Sequence, residues 1–396
     1  MARVLLTWEL GLGIGHLMNL RPIGQELIRR GHQVFAAIRD VSRAQELWVD
    51  TGIQWFPSPM AAPPHGRFPF DPPVCYAHML GNIGFVSEQA LGALFTRWNA
   101  IFDDLKPDLV VADHSPTVLF SLWDRPIPRA NVGLAFFCPP DKFPLPSWPR
   151  PSDPRINQFA EDERHITDVA NRVLQAHNRK RLQRLSQFFN EIDDVVLATY
   201  SEFDHFGPRP NMKYWGHWPY GATNQPEWPD GTGPRIYSYL NPSPELEPIL
   251  KLLAERQWPT LVVPAGIPPG IQERYASHTL RFVKPLDLRS ACQTCDTAIT
   301  NAGHGTVATL LLSGKPCLMI PLSVEQLIFA NAVVQTGAGR IWTKNLGNLA
   351  NSVHETAQSN ACRASVSRLA SKYSELIPGN QIGGLVDRFE AIFKNS

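Results

Sequence analysis

The chain has 396 residues and a formal net charge of +1 at pH 7, with 37 basic and 36 acidic side chains. A chain of this length is expected to form two domains, and its balanced charge argues against nucleic-acid binding, which needs clustered basic residues. No apolar run reaches the roughly 18 residues of a membrane-spanning helix, so we expect no transmembrane segment.

Two features suit a cytoplasmic protein. Residues 1–10 lack the long apolar region of a secretory signal peptide, and the six cysteines are scattered along the chain, as expected for reduced thiols. Cys292 and Cys295 form a single C-x-x-C pair, whereas a zinc site would need a second pair. We therefore interpret these two cysteines as structural and expect no bound metal.

The first half of the chain alternates strand-like with helix-like segments. A helix is predicted over 20–32, where apolar side chains recur at helical spacing and Gly31 supplies the stop. The apolar runs that predict strands are 3–10, 33–38, 105–114 and 194–200. This alternation predicts an α/β domain with a parallel, doubly wound sheet.

Two proline-rich stretches, 57–73 and 138–154, interrupt this domain and carry several aromatic residues. Long loops of this kind either form the walls of a binding site for an apolar or aromatic partner or are ordinary surface loops, and the residues leave both interpretations open. A single long helix is predicted over 161–189, with acidic residues first and basic residues last, which complements the helix dipole. We expect its basic face to be solvated, although such a face can also contact a membrane surface.

A second α/β pattern follows a segment rich in proline, glycine and tryptophan. Its predicted strands are 235–240, 260–266, 280–285, 296–300 and 316–322, with helices over 244–256 and 306–313. We predict an N-terminal domain over 1–216, a linker over 217–234, a C-terminal domain over 235–378 and a closing helix over 379–396.

A glycine-rich turn follows the first predicted strand. Gly11 and Gly13 occupy the first two positions of the G-x-G-x-x-G dinucleotide motif, but His16 takes the place of the third glycine. Because that glycine allows close packing of helix and strand, His16 argues against a dinucleotide site. The turn still brings His16 to the C-terminal edge of the sheet, where open α/β sheets bind ligands. From the residues alone, this imidazole is either structural or catalytic.

A second glycine turn, over 301–305, lies between a predicted strand and a predicted helix. The N-terminus of a helix after such a turn favours phosphate, and the hydroxyl of Thr306 can add a hydrogen bond. No G-K-[ST] sequence follows, which excludes a P-loop. Glu325 and Gln326 come just after the next strand and can reach a polyhydroxylated group beside the phosphates.

These residues resemble the donor-binding motif of family 1 glycosyltransferases, which use nucleotide sugars and have the GT-B fold. In one ungapped register from Val283, NAGHGT falls on the family's H-C-G-W-N-S, GKP falls on its G-V-P, and Glu325–Gln326 falls on its closing D/E-Q pair. GIGHL, LIRRGHQV and KPDLVVAD in the first 113 residues resemble further elements of the family. The resemblance covers 3–38, 107–113 and 280–340, and is faint or absent over 40–105 and 138–230.

The resemblance implies an α/β protein with the GT-B fold, in which two Rossmann-like doubly wound domains face each other across a cleft. The N-terminal domain is then expected to bind the acceptor, and the C-terminal domain is expected to bind the nucleotide sugar. Gly13 and Gly15 would belong to the turn below the cleft.

The resemblance also implies that His16 is the general base of the reaction. An acceptor hydroxyl is a poor nucleophile, and an imidazole with an ordinary pKa of about 6.5 can take its proton near neutral pH. Asp113, at the end of its strand, would orient the imidazole and stabilise its positive charge. His114 and Glu9 are rivals for this second role.

The sugar-donor site is expected in the C-terminal domain. The family's base-stacking Trp is replaced by Val283, its phosphate-binding His by Asn301, and its ribose-binding Glu by Thr309. We therefore expect weak discrimination between UDP and dTDP, or a preference for dTDP. The residues expected to contact the donor are Phe282, Val283, Asn301, Gly303, His304, Gly305, Thr306, Thr309, Glu325 and Gln326.

The expected activity is that of an inverting, metal-independent hexosyltransferase. The chain contains no D-x-D metal-binding motif, and we expect no cofactor beyond the nucleotide diphosphate sugar that serves as co-substrate. The acceptor would be a hydroxyl of a small molecule or lipid of apolar or aromatic character. The alternative is a GT-B-fold nucleotide-sugar 2-epimerase, which the proline-rich loops disfavour. Intact His16 and Asp113 disfavour a catalytically inactive partner subunit.

Overall fold

The computed structural model describes residues 1–11, 13–61, 67–148, 154–218, 222–343, 348–376 and 378–394. The chain divides into two compact units. The first unit consists of Met1–Tyr200, Arg209–Gly216 and Gly379–Ser396, and the second of Ser201–Pro208 and His217–Pro378. Parts of both proline-rich stretches, at 62–66 and 149–153, and residues 219–221 of the predicted linker lie outside the described residues.

The first unit is built on a six-stranded parallel sheet. Its strands are β1 (Arg3–Trp8), β2 (Gln33–Ile38), β3 (Gln54–Pro57), β4 (Leu109–Asp113), β5 (Arg129–Gly133) and β6 (Asp194–Leu197). They lie in the order β3-β2-β1-β4-β5-β6, and each pairs in parallel with its neighbour. The central strands β1 and β4 are almost wholly buried, because helices cover both faces of a parallel sheet.

The helices of the first unit agree less well with the sequence predictions than the strands do, because the long helix predicted over 161–189 is divided. They are α1 (Gly15–Arg29), α2 (Val41–Leu47), α3 (Tyr76–Leu80), α4 (Glu88–Leu105), α5 (Pro116–Ser121), α6 (Ile156–Ala176), α7 (Gln187–Asn190) and the C-terminal α15 (Pro378–Lys394). The single helix predicted over 161–189 is wrong. The chain leaves the helix after Ala176, since Asn178 adopts a positive φ of 55° and the Asn171 side chain bonds both main-chain groups of Leu182.

The second unit repeats the same architecture. Its strands are β7 (Ile236–Leu240), β8 (Thr260–Pro264), β9 (Leu280–Phe282), β10 (Thr297–Thr300), β11 (Cys317–Met319) and β12 (Gly339–Ile341), in the order β12-β11-β10-β7-β8-β9. Its helices are α8 (Leu246–Glu255), α9 (Pro269–Tyr275), α10 (Leu288–Thr294), α11 (His304–Leu312), α12 (Val324–Gln335), α13 (Leu349–Gln358) and α14 (Asn360–Lys372).

Both sheets have the strand order of a Rossmann fold. Counted within each unit, the order is 3-2-1-4-5-6, so the prediction of two doubly wound α/β domains is confirmed. The order reverses between β1 and β4 in the first sheet and between β7 and β10 in the second. Open α/β sheets bind ligands beyond the carboxyl ends of the strands at such a reversal, and both glycine turns follow one of these four strands.

The helices and the cysteines bear on the expected absence of a membrane span and on the interpretation of the C-x-x-C pair. Among the described residues, no helix combines the length and apolar character needed to span a membrane. All six cysteines lie in the described part of the chain, where they are buried and form no disulfide. Cys292 lies on α10 and Cys295 directly follows it, both packed in the interior of the second unit.

The buried carboxyl of Glu163 in the first unit makes the stability of the folded chain depend on pH. Glu163 lies on α6, and its Oε2 accepts a hydrogen bond from the main-chain N–H of Leu145 at 2.5 Å. Desolvation raises the pKa of this carboxyl from 4.5 to about 7. Ionisation of Glu163 therefore costs more in the folded chain than in the unfolded chain. Its contribution to stability falls as the pH rises from about 4.5 to about 7.

We expect Glu163→Gln to gain stability relative to the wild type when the pH is raised from about 5 to about 8. The gain should be about 2.5 kcal/mol, because a small part of the effect of the raised pKa is already present at pH 5. Urea unfolding at both pH values measures it, and Glu161→Gln, an exposed neighbour on α6, is the matched control. A difference between Glu163→Gln and the wild type that stays constant with pH would contradict this expectation.

Candidate active site

His16 lies where the strand order of the first sheet reverses. The turn after β1 has positive φ values at Gly11 and Gly13, of 88° and 85°, and leads into α1, of which His16 is the second residue. The Nδ1 atom of His16 lies 2.9 Å from Oδ1 of Asp113, the last residue of β4. Because β1 and β4 are paired strands, with Trp8 opposite Asp113, the sheet places Asp113 beside the end of β1, from which the turn leads to His16.

The His16–Asp113 pair is shielded from water. The Asp113 side chain is fully buried and the His16 side chain is 7% exposed. Asn19 on α1 donates a second, longer hydrogen bond of 3.4 Å to the other carboxylate oxygen. A carboxylate that accepts from Nδ1–H holds the imidazole in the tautomer whose Nε2 can accept a proton. The structure therefore pairs His16 with Asp113, the residue named for this role.

Glu9, a rival of Asp113, is occupied elsewhere. Its carboxyl hydrogen bonds with the hydroxyl of Thr117, and it accepts bonds from the Thr117 main-chain N–H at 3.0 Å and from Trp98 Nε1 at 3.1 Å. Burial raises the pKa of Glu9 to about 7. This carboxyl thus joins the end of β1 to the start of α5 and is not the partner of His16.

His114, the other rival, is a neutral neighbour of the pair. Its ring stacks on Phe137 at 4.1 Å between centroids and lies 5.7 Å from the ring of His16. Burial, followed by the charge of His16, holds its pKa well below the ordinary value. Neither of its ring nitrogens has a hydrogen-bond partner among the described residues. His114 therefore cannot supply the negative charge that Asp113 supplies.

Two aromatic residues that the sequence analysis missed hold the His16 ring. Trp8 stacks on it with centroids 5.2 Å apart, and Phe137 contacts it at 5.0 Å. Trp8 is fixed in turn, because its Nε1 donates to the main-chain oxygen of Leu10 at 2.6 Å. Packing on these two rings fixes the orientation of the imidazole.

The three glycines of the first turn differ in what surrounds them. A Cβ built at Gly13 or Gly15, the two positions singled out from the sequence, meets nothing within 4 Å. A Cβ built at Gly11 would lie 2.3 Å from Nε2 of His16. Gly11 is thus the glycine that touches the imidazole.

The second glycine turn leads into α11 at the strand-order reversal of the second sheet. The helix starts at His304, and Gly303 at its N-cap has no side chain with which to cap this end. Gly305 is exposed and Thr306 is half-buried in the first turn. An uncapped helix start after a glycine turn is typical of a phosphate site, and phosphate binding by these residues stays a prediction.

Asn301 connects the loops at the carboxyl ends of three strands. Its Oδ1 accepts from the main-chain N–H of Asn241, after β7, at 2.7 Å. Its Nδ2 donates to the main-chain oxygen of Ile320, after β11, at 3.0 Å. These bonds shape the turn in which Asn301 lies, so the amide has a structural role here. Contact of Asn301 with a sugar donor stays a prediction.

Thr309 uses its hydroxyl within the protein. Its Oγ1 donates to the main-chain oxygen of Gly305 and lies 2.8 Å from Nε2 of His217. A hydroxyl has one hydrogen, so His217 must donate from Nε2. Burial lowers the pKa of His217 to about 4, which keeps that imidazole neutral and fits this tautomer. No motif in the sequence points to His217.

Two more histidines lie near the start of α11. His304 packs against Phe329 with centroids 4.8 Å apart, and burial, together with neighbouring His217 and His205, holds its pKa well below the ordinary value. His205, another residue missed from the sequence, lies with Nε2 3.2 Å from Oε1 of Glu325. Glu325 is partly exposed, so His205 orients a carboxylate that remains open to solvent.

The other predicted donor residues follow strands of the second sheet at the carboxyl ends of those strands. Gln326 caps its own helix, since its N–H donates to the Ser323 hydroxyl and its Oε1 accepts from the Leu322 N–H, a pairing close to a capping box. Phe282 and Val283 stand at the end of β9 and are half-buried. Strands β7 and β8 separate them from β10.

The fold of the chain is shared by solved structures of glycosyltransferases. No protein-family model matches the chain, and no curated protein matches it in sequence. The calicheamicin glycosyltransferase CalG4 matches with a TM-score of 0.68 at 16% identity, over 100% of this chain and 98% of that one. The chain has the GT-B fold.

Two further structures with this fold were solved with bound ligands. Glycosyltransferase VinC in complex with dTDP matches with a TM-score of 0.62 at 16% identity, over 100% of both chains. The spinosyn rhamnosyltransferase SpnG, complexed with spinosyn aglycone, matches with a TM-score of 0.63 at 14% identity, over 97% of this chain and 100% of that one. At these identities the likeness concerns the GT-B fold, and the activity has to be argued from the site.

Proposed function

We propose that this protein is an inverting glycosyltransferase that moves a hexose from a nucleotide diphosphate sugar to a hydroxyl of a small apolar or aromatic acceptor. The observation that carries the proposal is the buried hydrogen bond between His16 and Asp113 at the strand-order reversal of the first sheet. This arrangement provides a base oriented by a carboxylate, which is what activation of a hydroxyl requires.

In the proposed reaction, these groups take up the proton of the acceptor and stabilise the leaving diphosphate. The acceptor oxygen bonds to the anomeric carbon while its proton passes to Nε2 of His16, and the bond from that carbon to the diphosphate breaks with its electron pair on the leaving group. Asp113 stabilises the imidazolium that forms. The start of α11 and the Thr306 hydroxyl would stabilise the leaving diphosphate. Attack from the face opposite the diphosphate inverts the anomeric centre.

Aromatic residues in the first unit support an apolar or aromatic acceptor. Tyr76, Phe136 and Trp148 form a chain of ring contacts, with centroids 5.9 Å and 6.1 Å apart. Trp148 belongs to the described part of the second proline-rich stretch, and its Nε1 donates to the main-chain oxygen of Pro73 in the first stretch at 3.0 Å. The Trp148 side chain thus joins the two stretches, which suits walls of one acceptor site.

The direct test is a transfer assay with dTDP-hexoses and UDP-hexoses against a panel of small phenols and aromatic alcohols. Mass spectrometry should find products heavier by one hexose unit, and NMR should find the anomeric configuration inverted. Retention of configuration would overturn the proposed mechanism. Epimerised nucleotide sugar formed without any acceptor would instead favour the 2-epimerase alternative.

The nucleotide preference is a separate expectation. Position 309 is a threonine, so it offers no carboxylate to the ribose hydroxyls. The Thr309 hydroxyl is also already bonded to Gly305 and His217. Phe282 and Val283 can bury the thymine methyl group, which is worth about 0.8 kcal/mol. We expect dTDP to bind as tightly as UDP or more tightly in side-by-side calorimetric titrations. A preference for UDP greater than about tenfold would show that another residue holds the ribose.

A further inference from the structure

We propose that His205 positions the carboxylate of Glu325 so that this carboxylate can hold a hydroxyl of the donor sugar. His205 lies in the segment Ser201–Pro208, which belongs to the second unit, and the motif over 283–326 does not include it. The inference deepens the proposed function and rests on it, since a nucleotide sugar must bind at the start of α11. His205 would then be a positioning residue, which acts on the donor through Glu325.

A hydrogen bond between His205 and Glu325 holds one oxygen of the carboxylate. Nε2 of His205 lies 3.2 Å from Oε1 of Glu325, and an ionised carboxylate only accepts hydrogen bonds, so Nε2 is the donor. The His205 side chain is fully buried, whereas the Glu325 side chain is 22% exposed. Among the described residues, this is the one hydrogen bond of the Glu325 carboxylate. The carboxylate is therefore held from inside the protein and keeps acceptor capacity for a ligand.

Aromatic packing keeps the His205 ring beside this carboxylate. The ring stacks on Phe329 with centroids 6.0 Å apart, and Phe203 contacts Phe329 edge-on at 5.8 Å. Phe329 lies four residues after Glu325 on α12, so these two side chains share one face of the helix. His205 thus contacts two consecutive turns of α12, by a hydrogen bond in the first and by ring packing in the second.

The position of Glu325 in the second sheet suits a contact with the sugar. Phe329 also packs against His304, the first residue of α11, at 4.8 Å between centroids, so Glu325 lies near the proposed phosphate site. Strand β11, which precedes Glu325, and strand β9, which ends at Phe282, lie on opposite sides of β10. With the nucleobase expected at β9 and the diphosphate after β10, the sugar falls on the side of Glu325. Sugar hydroxyls donate strong hydrogen bonds to a carboxylate.

The first experiment isolates the sugar contact by calorimetric titration with dTDP, dTDP-glucose, UDP and UDP-glucose. The ratio of the Kd of a nucleotide sugar to the Kd of its nucleoside diphosphate reports on the sugar, because both ligands share the base and the phosphates. We expect His205→Phe to raise this ratio about three- to tenfold, since a freed Glu325 side chain must be ordered on binding. His205→Gln, whose amide can donate to Glu325, should keep the ratio within about twofold of the wild type.

Phe203→Leu is the matched control for packing around Phe329. It disturbs the ring contact but removes no polar group, so the ratio should stay at the wild-type value. An unchanged ratio in His205→Phe would overturn the proposal, and so would an equal rise in Phe203→Leu. If His205→Phe does not fold, His205→Leu replaces it, since leucine also lacks a hydrogen-bond donor.

A double-mutant cycle tests whether His205 acts through Glu325. Glu325→Ala alone should raise the ratio about tenfold or more, the usual effect of losing a hydrogen bond to a charged group. Adding His205→Phe to Glu325→Ala should change the ratio less than about twofold, because the side chain that His205 positions is gone. Additive effects, or a Glu325→Ala variant with an unchanged ratio, would contradict the proposed role of His205.

The outcomes also separate this inference from the proposed function. If the wild type binds the nucleotide sugars and transfers sugar, but His205→Phe leaves the ratio unchanged, the role of His205 is wrong and the proposed function stands. If the wild type binds none of the four ligands, the proposed function fails and the role of His205 fails with it.

Discussion

Replacing His16 with alanine is expected to lower the turnover of sugar transfer by roughly two to four orders of magnitude, the usual effect of losing a general base. Without the imidazole, the acceptor hydroxyl must lose its proton to water as it attacks. Nucleotide binding should change little, because the proposed phosphate-binding features belong to α11 in the second unit. Steady-state kinetics, with calorimetry of dTDP binding, measure both quantities.

His114→Asn is the informative control for His16→Ala. It removes a second buried imidazole next to the first, and Asn suits the positive φ of 47° at this position. Since the His114 nitrogens have no hydrogen-bond partner in the described part of the chain, we expect a much smaller loss of turnover. A larger loss in His114→Asn than in His16→Ala would reverse the assignment of the base.

The sequence predicted the parts of the fold that depend on local pattern. The buried interior strands other than β5 are continuous apolar runs and were found, together with the glycine turns that follow β1 and β10. The strands that were missed are β3, β5 and β12. Two of them lie at sheet edges, where burial is incomplete and the apolar pattern is short, and β5 follows directly on Pro126 and Pro128, which break the pattern.

The sequence predicted the site less completely, because its details depend on contacts between distant segments. His16 and Asp113 were named through motifs, and the structure pairs them. That Gly11 rather than Gly13 approaches the imidazole follows from the path of the turn, which no spacing rule specifies. Likewise, the bond between His217 and Thr309 joins residues that lie far apart in the chain, so the sequence could not show that this hydroxyl is already used.

Replacing Asp113 with asparagine is the sharpest test of how the carboxylate acts. The change keeps the shape of the side chain and removes its charge. In the wild type, Asn19 donates to one carboxylate oxygen and His16 donates to the other. In Asp113→Asn, the amide oxygen should stay with Asn19, so that the amide NH₂ faces Nδ1 of His16. Nδ1 then becomes an acceptor, the proton moves to Nε2, and the base is lost.

We therefore expect Asp113→Asn to lower kcat by roughly two to four orders of magnitude, as loss of the base itself would, with little effect on nucleotide affinity. Nitrogen NMR of the His16 ring should show the proton on Nε2 in this variant and on Nδ1 in the wild type. Adding Asn19→Ala frees the amide to turn, which lets its oxygen accept from Nδ1 again. The double variant should then be more active than Asp113→Asn alone, because the correct tautomer returns even though the charge does not. A double variant that is less active than Asp113→Asn would show that the carboxylate acts through its charge rather than by selecting the tautomer.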